Sequence, residues 1–245
     1  MTLKTVIHSL CKQIAAETSQ WQFESGKDFG TGSFKRKDIK FADVKICPCF
    51  NFKGGTACGM QWKVVVNYQK LSTLCHEITT WPGWILSEIS FQGVVSGHKN
   101  WTADEHPVNA IYTPIVYEYF QQQGKPWPRT WILVADCEPY LRKAFADGHA
   151  LIAQYYDLSS ERALLENLPT QKGVVGLAGR GGLEGDFAIM YCLARMSLGD
   201  FDFFELYRSD EFETVYPKNT KSLDQLAAKV PELKKRYTET GSIFA

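Results

Sequence analysis

The stretch ICPCFNFKGGTACGMQWKVVV (46–66) carries Cys47, Cys49 and Cys58 within twelve positions, and Cys75-His76 follows. Thiolates and imidazoles at close spacing are the ligands of zinc sites. Two features speak against that chemistry here. Paired zinc cysteines are usually separated by about two to four residues, not by one. Adjacent residues on a helix point in different directions, so Cys75 and His76 do not turn together to one ion.

Alternation through the segment predicts a β-hairpin instead. Ile46, Pro48, Phe50 and Phe52 share one face of the first strand, with Cys47 and Cys49 on the other. Cys58, Met60, Trp62, Val64, Val66 and Tyr68 share one face of the second. A two-residue Gly54-Gly55 turn would set the aromatic face against the polar one. A Lys53–Gly55 loop pairs Phe50 with Cys58 and gathers the apolar side chains together. A one-residue slip reverses faces, so burial selects the three-residue loop. Cys58 then points away from Cys47 and Cys49, and no metal is expected.

A second candidate is Cys137, in Asp136-Cys137-Glu138, where the apolar run TWILVAD meets a helical pattern that contains His149. A cysteine at a helix N-terminus has a lowered pKa and, with a histidine base, is a nucleophile. That arrangement would make a small cysteine-dependent hydrolase or transferase. No family-specific motif surrounds the pair, and the two are not expected to meet.

The loop GVVGLAGRGGLEGD has glycines at 173, 176, 179, 181, 182 and 185. Counting from Gly179, the dinucleotide fingerprint fails at Glu184, and no Gly-Lys-Ser/Thr completes a P-loop. A helix starting near Glu184, with Arg180, would still offer N–H groups to an anion. A plain connector is the commoner role of such a run. His98 and His106 flank Trp101 in HKNWTADEH without a metal-ligand pattern. No cofactor is implied anywhere.

The elements that must position these residues follow from periodicity. Leu3, Val6, Ile7, Leu10, Cys11, Ile14 and Ala15 predict an amphipathic helix over 3–17. Trp21 and Phe23 mark a short strand, and the period is two from Ser33 to Tyr68. QKLSTLCHEITT reads as a helix stopped by Pro82-Gly83, and ILSEISFQGVV as a strand. AIYTPIVYEYFQQQ reads as a helix and TWILVAD as a buried strand. EPYLRKAFADGHALIAQYYD is helical but interrupted at Gly148. SSERALLENL opens on a serine N-cap. GDFAIMYCLARMSL, DFDFFELYR and KSLDQLAAKVPELKKRY are helical.

Strands crowd the first half and helices the second. The expectation is an α+β fold with an antiparallel sheet and a long hairpin in the N-terminal half. The 245 residues form one domain, with a sheet-rich part (1–123) and a helix-rich part (130–245) packed together across a linker at 124–129.

Seven cysteines, an odd number, and an amphipathic rather than signal-like N-terminus point to reduced thiols in the cytosol. No apolar run approaches the roughly 20 residues that span a bilayer. Lysine plus arginine and aspartate plus glutamate are equal, at 27 each. A zero net charge gives no overall attraction to nucleic acid or an anionic membrane. The charge is nevertheless segregated. Asp200, Asp202, Glu205, Asp210, Glu211 and Glu213 face only Arg208 between Leu198 and Val215. Residues 221–236 carry five positive and two negative side chains, and residues 27–45 carry six and three. The six carboxylates are the candidate surface for a basic protein partner. The phenylalanines between them, with Leu206, are expected to anchor the segment inward.

The leading helix LKTVIHSLCKQIAAETSQ, the turn-rich strands WQFESGKDFGTGSFKRK, the long hairpin and the charged tail FELYRSDEFETVYPKNTKSLDQLAAKVPELKKRY resemble, in layout, bacterial polymorphic-toxin immunity proteins. The resemblance implies a cytosolic, non-enzymatic protein that neutralises a cognate toxin by binding it. It carries no individual functional residue with it.

Overall fold

The computed structural model describes residues 2–26, 32–53, 57–79, 92–96, 131–133, 137–168, 183–212 and 221–244. The chain forms two compact units, residues 1–66 with 91–155 and residues 67–90 with 156–245. Unit membership therefore changes near 66, 90 and 155, whereas the sequence suggested a division at 124–129.

The first unit is a sheet with helices on one face. Its elements are α1 (Leu3–Ala16), β1 (Trp21–Ser25), β2 (Gly32–Arg36), β3 (Asp43–Lys53), β4 (Ala57–Asn67), β5 (Gln92–Ser96), β6 (Trp131–Leu133) and α3 (Cys137–Tyr155). The strand order is β1-β2-β3-β4-β5, and β6 also pairs with β4. The pairings β1–β2, β2–β3, β4–β5 and β4–β6 are antiparallel. β5 lies along Gln61–Val65 of β4, and β6 along Ala57–Gly59.

Register places a row of large apolar side chains on one face. Phe23 lies opposite Phe34, and Phe34 opposite Ile46. The rings of Phe34 and Trp62 stack at 6.2 Å. Val44, Ile46 and Phe50 of β3 and Trp62, Val64 and Val66 of β4 are all buried. Cys47, on the opposite parity, is only half-buried. β3 runs on through Lys53, so Lys53 belongs to the strand and not to the turn expected at Lys53–Gly55. Gly54 and Gly55, and the side chains of Cys49, Cys58 and Met60, lie outside the described residues.

α1 and α3 cover this row. α1 starts at Thr2, whose hydroxyl accepts from the Thr5 N–H at 3.3 Å. Phe145 of α3 meets Phe34 at 4.6 Å and Trp21 at 5.4 Å. Arg142 binds Glu138 on its own helix and Glu17 at the end of α1, the latter at 2.6 Å. α3 is continuous through Gly148, where the sequence suggested an interruption. The reason is packing. Gly148 faces Ile46 so closely that a β-carbon would sit 3.0 Å from its Cγ2. The missing side chain admits the sheet and does not break the helix.

The second unit is helical: α2 (Gln69–Ile78), α4 (Glu161–Glu166), α5 (Leu183–Ser197), α6 (Asp202–Arg208) and α7 (Lys221–Thr240). α4 has the expected cap, Ser160 Oγ accepting from the Ala163 N–H at 3.0 Å. α5 is the buried centre, with Ala188, Ile189, Cys192, Leu193, Ala194 and Met196 fully enclosed. α2, α4, α6 and α7 all pack on it. Burial alone pushes the Cys192 thiol up to about 12, so it is an inert core group. The fold class is α+β, with the sheet in the N-terminal half and helices dominating the C-terminal half. Among the described residues no helix is long and apolar enough to cross a membrane.

Candidate functional site

The acidic segment is built from the end of α5 onward. Gly199 has φ +88° and closes α5: its N–H reaches the Met196 carbonyl at 2.9 Å, and the Asp200 N–H reaches Arg195 at 3.0 Å. This is the Schellman arrangement, which glycine adopts without a steric penalty. Asp200 then works twice. One oxygen takes the Arg195 guanidinium at 2.7 Å, and the other accepts from the Phe203 N–H at 3.2 Å. That second bond caps the first turn of α6. Asp200 is thus engaged within the fold rather than presented outward.

α6 is short, and its aromatic face holds it in place. Phe201, Phe203, Phe204 and Tyr207 are buried. Phe203 meets Tyr191 edge-on at 5.2 Å, and Phe201 meets Tyr237 of α7 at 5.6 Å. The guanidinium of Arg195 lies 5.2 Å from the Phe203 ring, and that of Arg208 5.5 Å from Phe204. Arg208 also reaches Asp224 of α7 at 3.4 Å.

Leu206 does not join them. It is 48% exposed, the one large hydrophobic side chain in the open among the described residues. Positions 203, 204 and 207 make the inner face of the helix, and 206 falls on the other side. The inward anchor expected at Leu206 is supplied by Tyr207. Asp202, Glu205, Asp210 and Glu211 are exposed with it. Glu213 lies outside the described residues. The outer face of α6 therefore carries Leu206 with Asp202 and Glu205, on a helix fixed from behind, and Asp210 and Glu211 are exposed just after its end. It offers contact area and negative field, with no acid–base pair.

The other sequence candidates separate. Cys137 is the first residue of α3 and fully buried, whereas His149 is exposed on the same helix and lies edge-on to Trp21 at 5.9 Å. Twelve residues of helix place them about 18 Å apart along its axis. A nucleophile and its base must be in hydrogen-bond contact, so these two do not form that pair. Cys75 is buried and His76 exposed, as neighbours on a helix must diverge. Among the described residues no three His, Cys, Asp or Glu side chains are grouped to hold a metal. The loop 173–182 and the HKNWTADEH segment, with Trp101, lie outside the described residues.

One polar cluster had no motif to reveal it. The Tyr68 hydroxyl donates to Glu161 Oε1 at 2.5 Å, and Lys70 Nζ donates to the same oxygen at 2.9 Å. Phe244 sits edge-on to Tyr68 at 5.8 Å, with the Lys70 ammonium 5.9 Å from its ring. Burial and then the Glu161 carboxylate push the Tyr68 hydroxyl well up, so it stays a neutral donor. A cleft of about 210 Å³ opens beside it, lined by Gln69, Lys70, Thr73, Leu74, Glu77 and Phe244. Its lysine already serves Glu161, so the cluster acts as a clamp between α2, α4 and the tail. The partners are 93 positions apart in sequence, and no local spacing announces the contact.

Comparison with protein-family models, with curated proteins and with solved structures finds no match.

Proposed function

We propose that this chain is a cytosolic binding protein without catalytic activity, and that the outer face of α6 docks a basic protein partner. One observation carries the reading: Leu206 stands exposed with Asp202 and Glu205 on a helix whose opposite face is locked by buried aromatics, and the exposed Asp210 and Glu211 follow directly after it. An apolar contact inside a charged rim is how protein interfaces gain affinity at the centre and on-rate at the edge. A rigid backing lowers the ordering cost of association. The resemblance in layout to toxin immunity proteins favours one form of this function, inhibition of a basic toxin by direct binding.

The test is co-purification from the native host with wild-type chain and with a Leu206→Ser/Asp210→Lys/Glu211→Lys variant, followed by identification of the captured proteins. A basic protein recovered with the wild type and lost with the variant is expected. If that protein is a toxin, its expression should arrest growth unless this chain is co-expressed. Identical recovery with both baits would refute α6 as the docking face.

A further inference from the structure

We propose that His8 is an acid-sensitive latch, whose neutral imidazole keeps α1 seated on the sheet of the first unit and whose protonation loosens it. His8 lies on the buried stripe of α1 with Ile7, Cys11 and Ala15, and is 7% exposed. Its ring is edge-on to Phe23 at 5.4 Å and 6.2 Å from Phe50. Its Nε2 is enclosed and, among the described residues, has no hydrogen-bond partner. A leucine would fill such a place with no polar cost, so the position carries a titratable group that the packing does not require.

Among the described residues the surroundings offer a proton no counter-charge. From α1 itself, Lys4 and Lys12 stand one turn before and after His8 and repel the cation. From β1 the facing side chain is Phe23, while Gln22 and Glu24 alternate to the exposed side. On β2, Lys35 pairs with Asp43, and Arg36 with Asp38. Asp43 starts β3, seven residues and about 23 Å of strand from Phe50. From α3 the described charged side chains are Glu138 and Arg142, joined to Glu17, and the exposed His149 lies against Trp21; the side chains of Lys143 and Asp147 lie outside the described residues. Glu17 is nine residues from His8, about 14 Å along the helix. Among the described residues, then, the imidazolium would face two aromatic rings and two lysines. Burial, and then the two lysines, hold the His8 pKa below its ordinary 6.5.

The sign follows from linkage. The folded value is depressed, so the unfolded or detached state takes the proton first. Stability is whole above about pH 6.5 and falls as pH drops below it, by up to tenfold in the equilibrium constant per pH unit for one proton, until the folded value is passed. Because α1 covers β1 and β2, the first consequence of protonation is release of this helix.

The experiment is an NMR titration of the histidines in the full chain, with His8 assigned by its loss in His8→Gln. It is joined to hydrogen exchange of α1 amides at about pH 7.5 and 5.5, corrected for the intrinsic rate. His8 is expected to titrate below 6.5, and α1 to lose protection several-fold at the lower pH while α7 does not. His8→Phe should keep α1 protected at both. If that variant fails to fold, His8→Gln must still flatten the pH dependence. A His8 titration at or above 6.5, or an unchanged pH profile in the folded variants, would overturn the proposal.

Discussion

Gly148 of α3 lies against Ile46 of β3 with little room for a methyl group: an added β-carbon would be 3.0 Å from Ile46 Cγ2 and 3.1 Å from Cδ1. Ile46 is itself fully buried, so it has little freedom to yield. Two effects compete in Gly148→Ala. Helix propensity favours alanine by about 1 kcal/mol. Overpacking opposes it by about 1–3 kcal/mol. The expected outcome is a net loss of about 1 kcal/mol in urea unfolding. With Ile46→Ala in place the clash is gone, and the same change should stabilise by up to about 1 kcal/mol. Equal effects in the two backgrounds would show that the contact is not what selects glycine.

That glycine marks where sequence reading stopped. The elements themselves were legible because their periods are local: 3.6 in α1, α2, α5 and α7, and two in β1 to β4. The cap at Ser160 was legible for the same reason. A glycine in a helical pattern reads equally as a break or as a close approach, and only the identity of the facing residue decides. Leu206 departs from the inward placement expected of it because apolar type does not by itself fix direction. On a seven-residue helix the inner face is already filled by Phe203, Phe204 and Tyr207. His8 was available to sequence reasoning: it sits three and seven residues before Cys11 and Ala15, on the same stripe. The Tyr68–Glu161 clamp was not, since it joins elements far apart in the chain.

Gly199 should tolerate replacement worse than Gly148. Its φ of +88° penalises any L-residue, and a β-carbon would also lie 2.7 Å from the Tyr237 hydroxyl. Gly199→Ala is expected to destabilise by about 2 kcal/mol, most of it from the backbone. Tyr237→Phe removes the hydroxyl contact and should recover less than half of the loss. Full recovery, followed by denaturant midpoints, would assign the cost to crowding alone.

The clamp at Glu161 sets an acid-side dependence distinct from that of His8. The Tyr68 hydroxyl first, and the Lys70 ammonium second, hold the Glu161 carboxyl below its ordinary 4.5. A depressed carboxylate stabilises fully above the unfolded value, and the gain is lost as pH falls through the folded one. Tyr68→Phe should therefore cost about 1 kcal/mol at neutral pH. Below about pH 4.5 the variant and wild type should converge. Lys70→Met should cost less, because that ion pair is partly exposed. Parallel pH-stability curves for wild type and Tyr68→Phe would rule the clamp out as a source of acid sensitivity.

The docking face of α6 makes a prediction that separates its two components. Asp210 and Glu211 lie beyond the helix, so their reversal to lysine leaves the α6 dipole and the Asp200 cap untouched. Leu206 is about half exposed, and Leu206→Ser removes it without opening a core cavity. Both variants should melt close to wild type, since exposed substitutions change stability by only about 0.5 kcal/mol. Against the basic partner identified by co-purification, their kinetics should differ. Asp210→Lys/Glu211→Lys should slow association at low salt, and the deficit should shrink as ionic strength screens the field. Leu206→Ser should leave association nearly unchanged and speed dissociation, with little salt dependence, because a central apolar contact acts after encounter. A partner that binds both variants with wild-type rates at every salt concentration does not use this face. A partner affected only by the charge reversal is steered by the carboxylates but seated elsewhere.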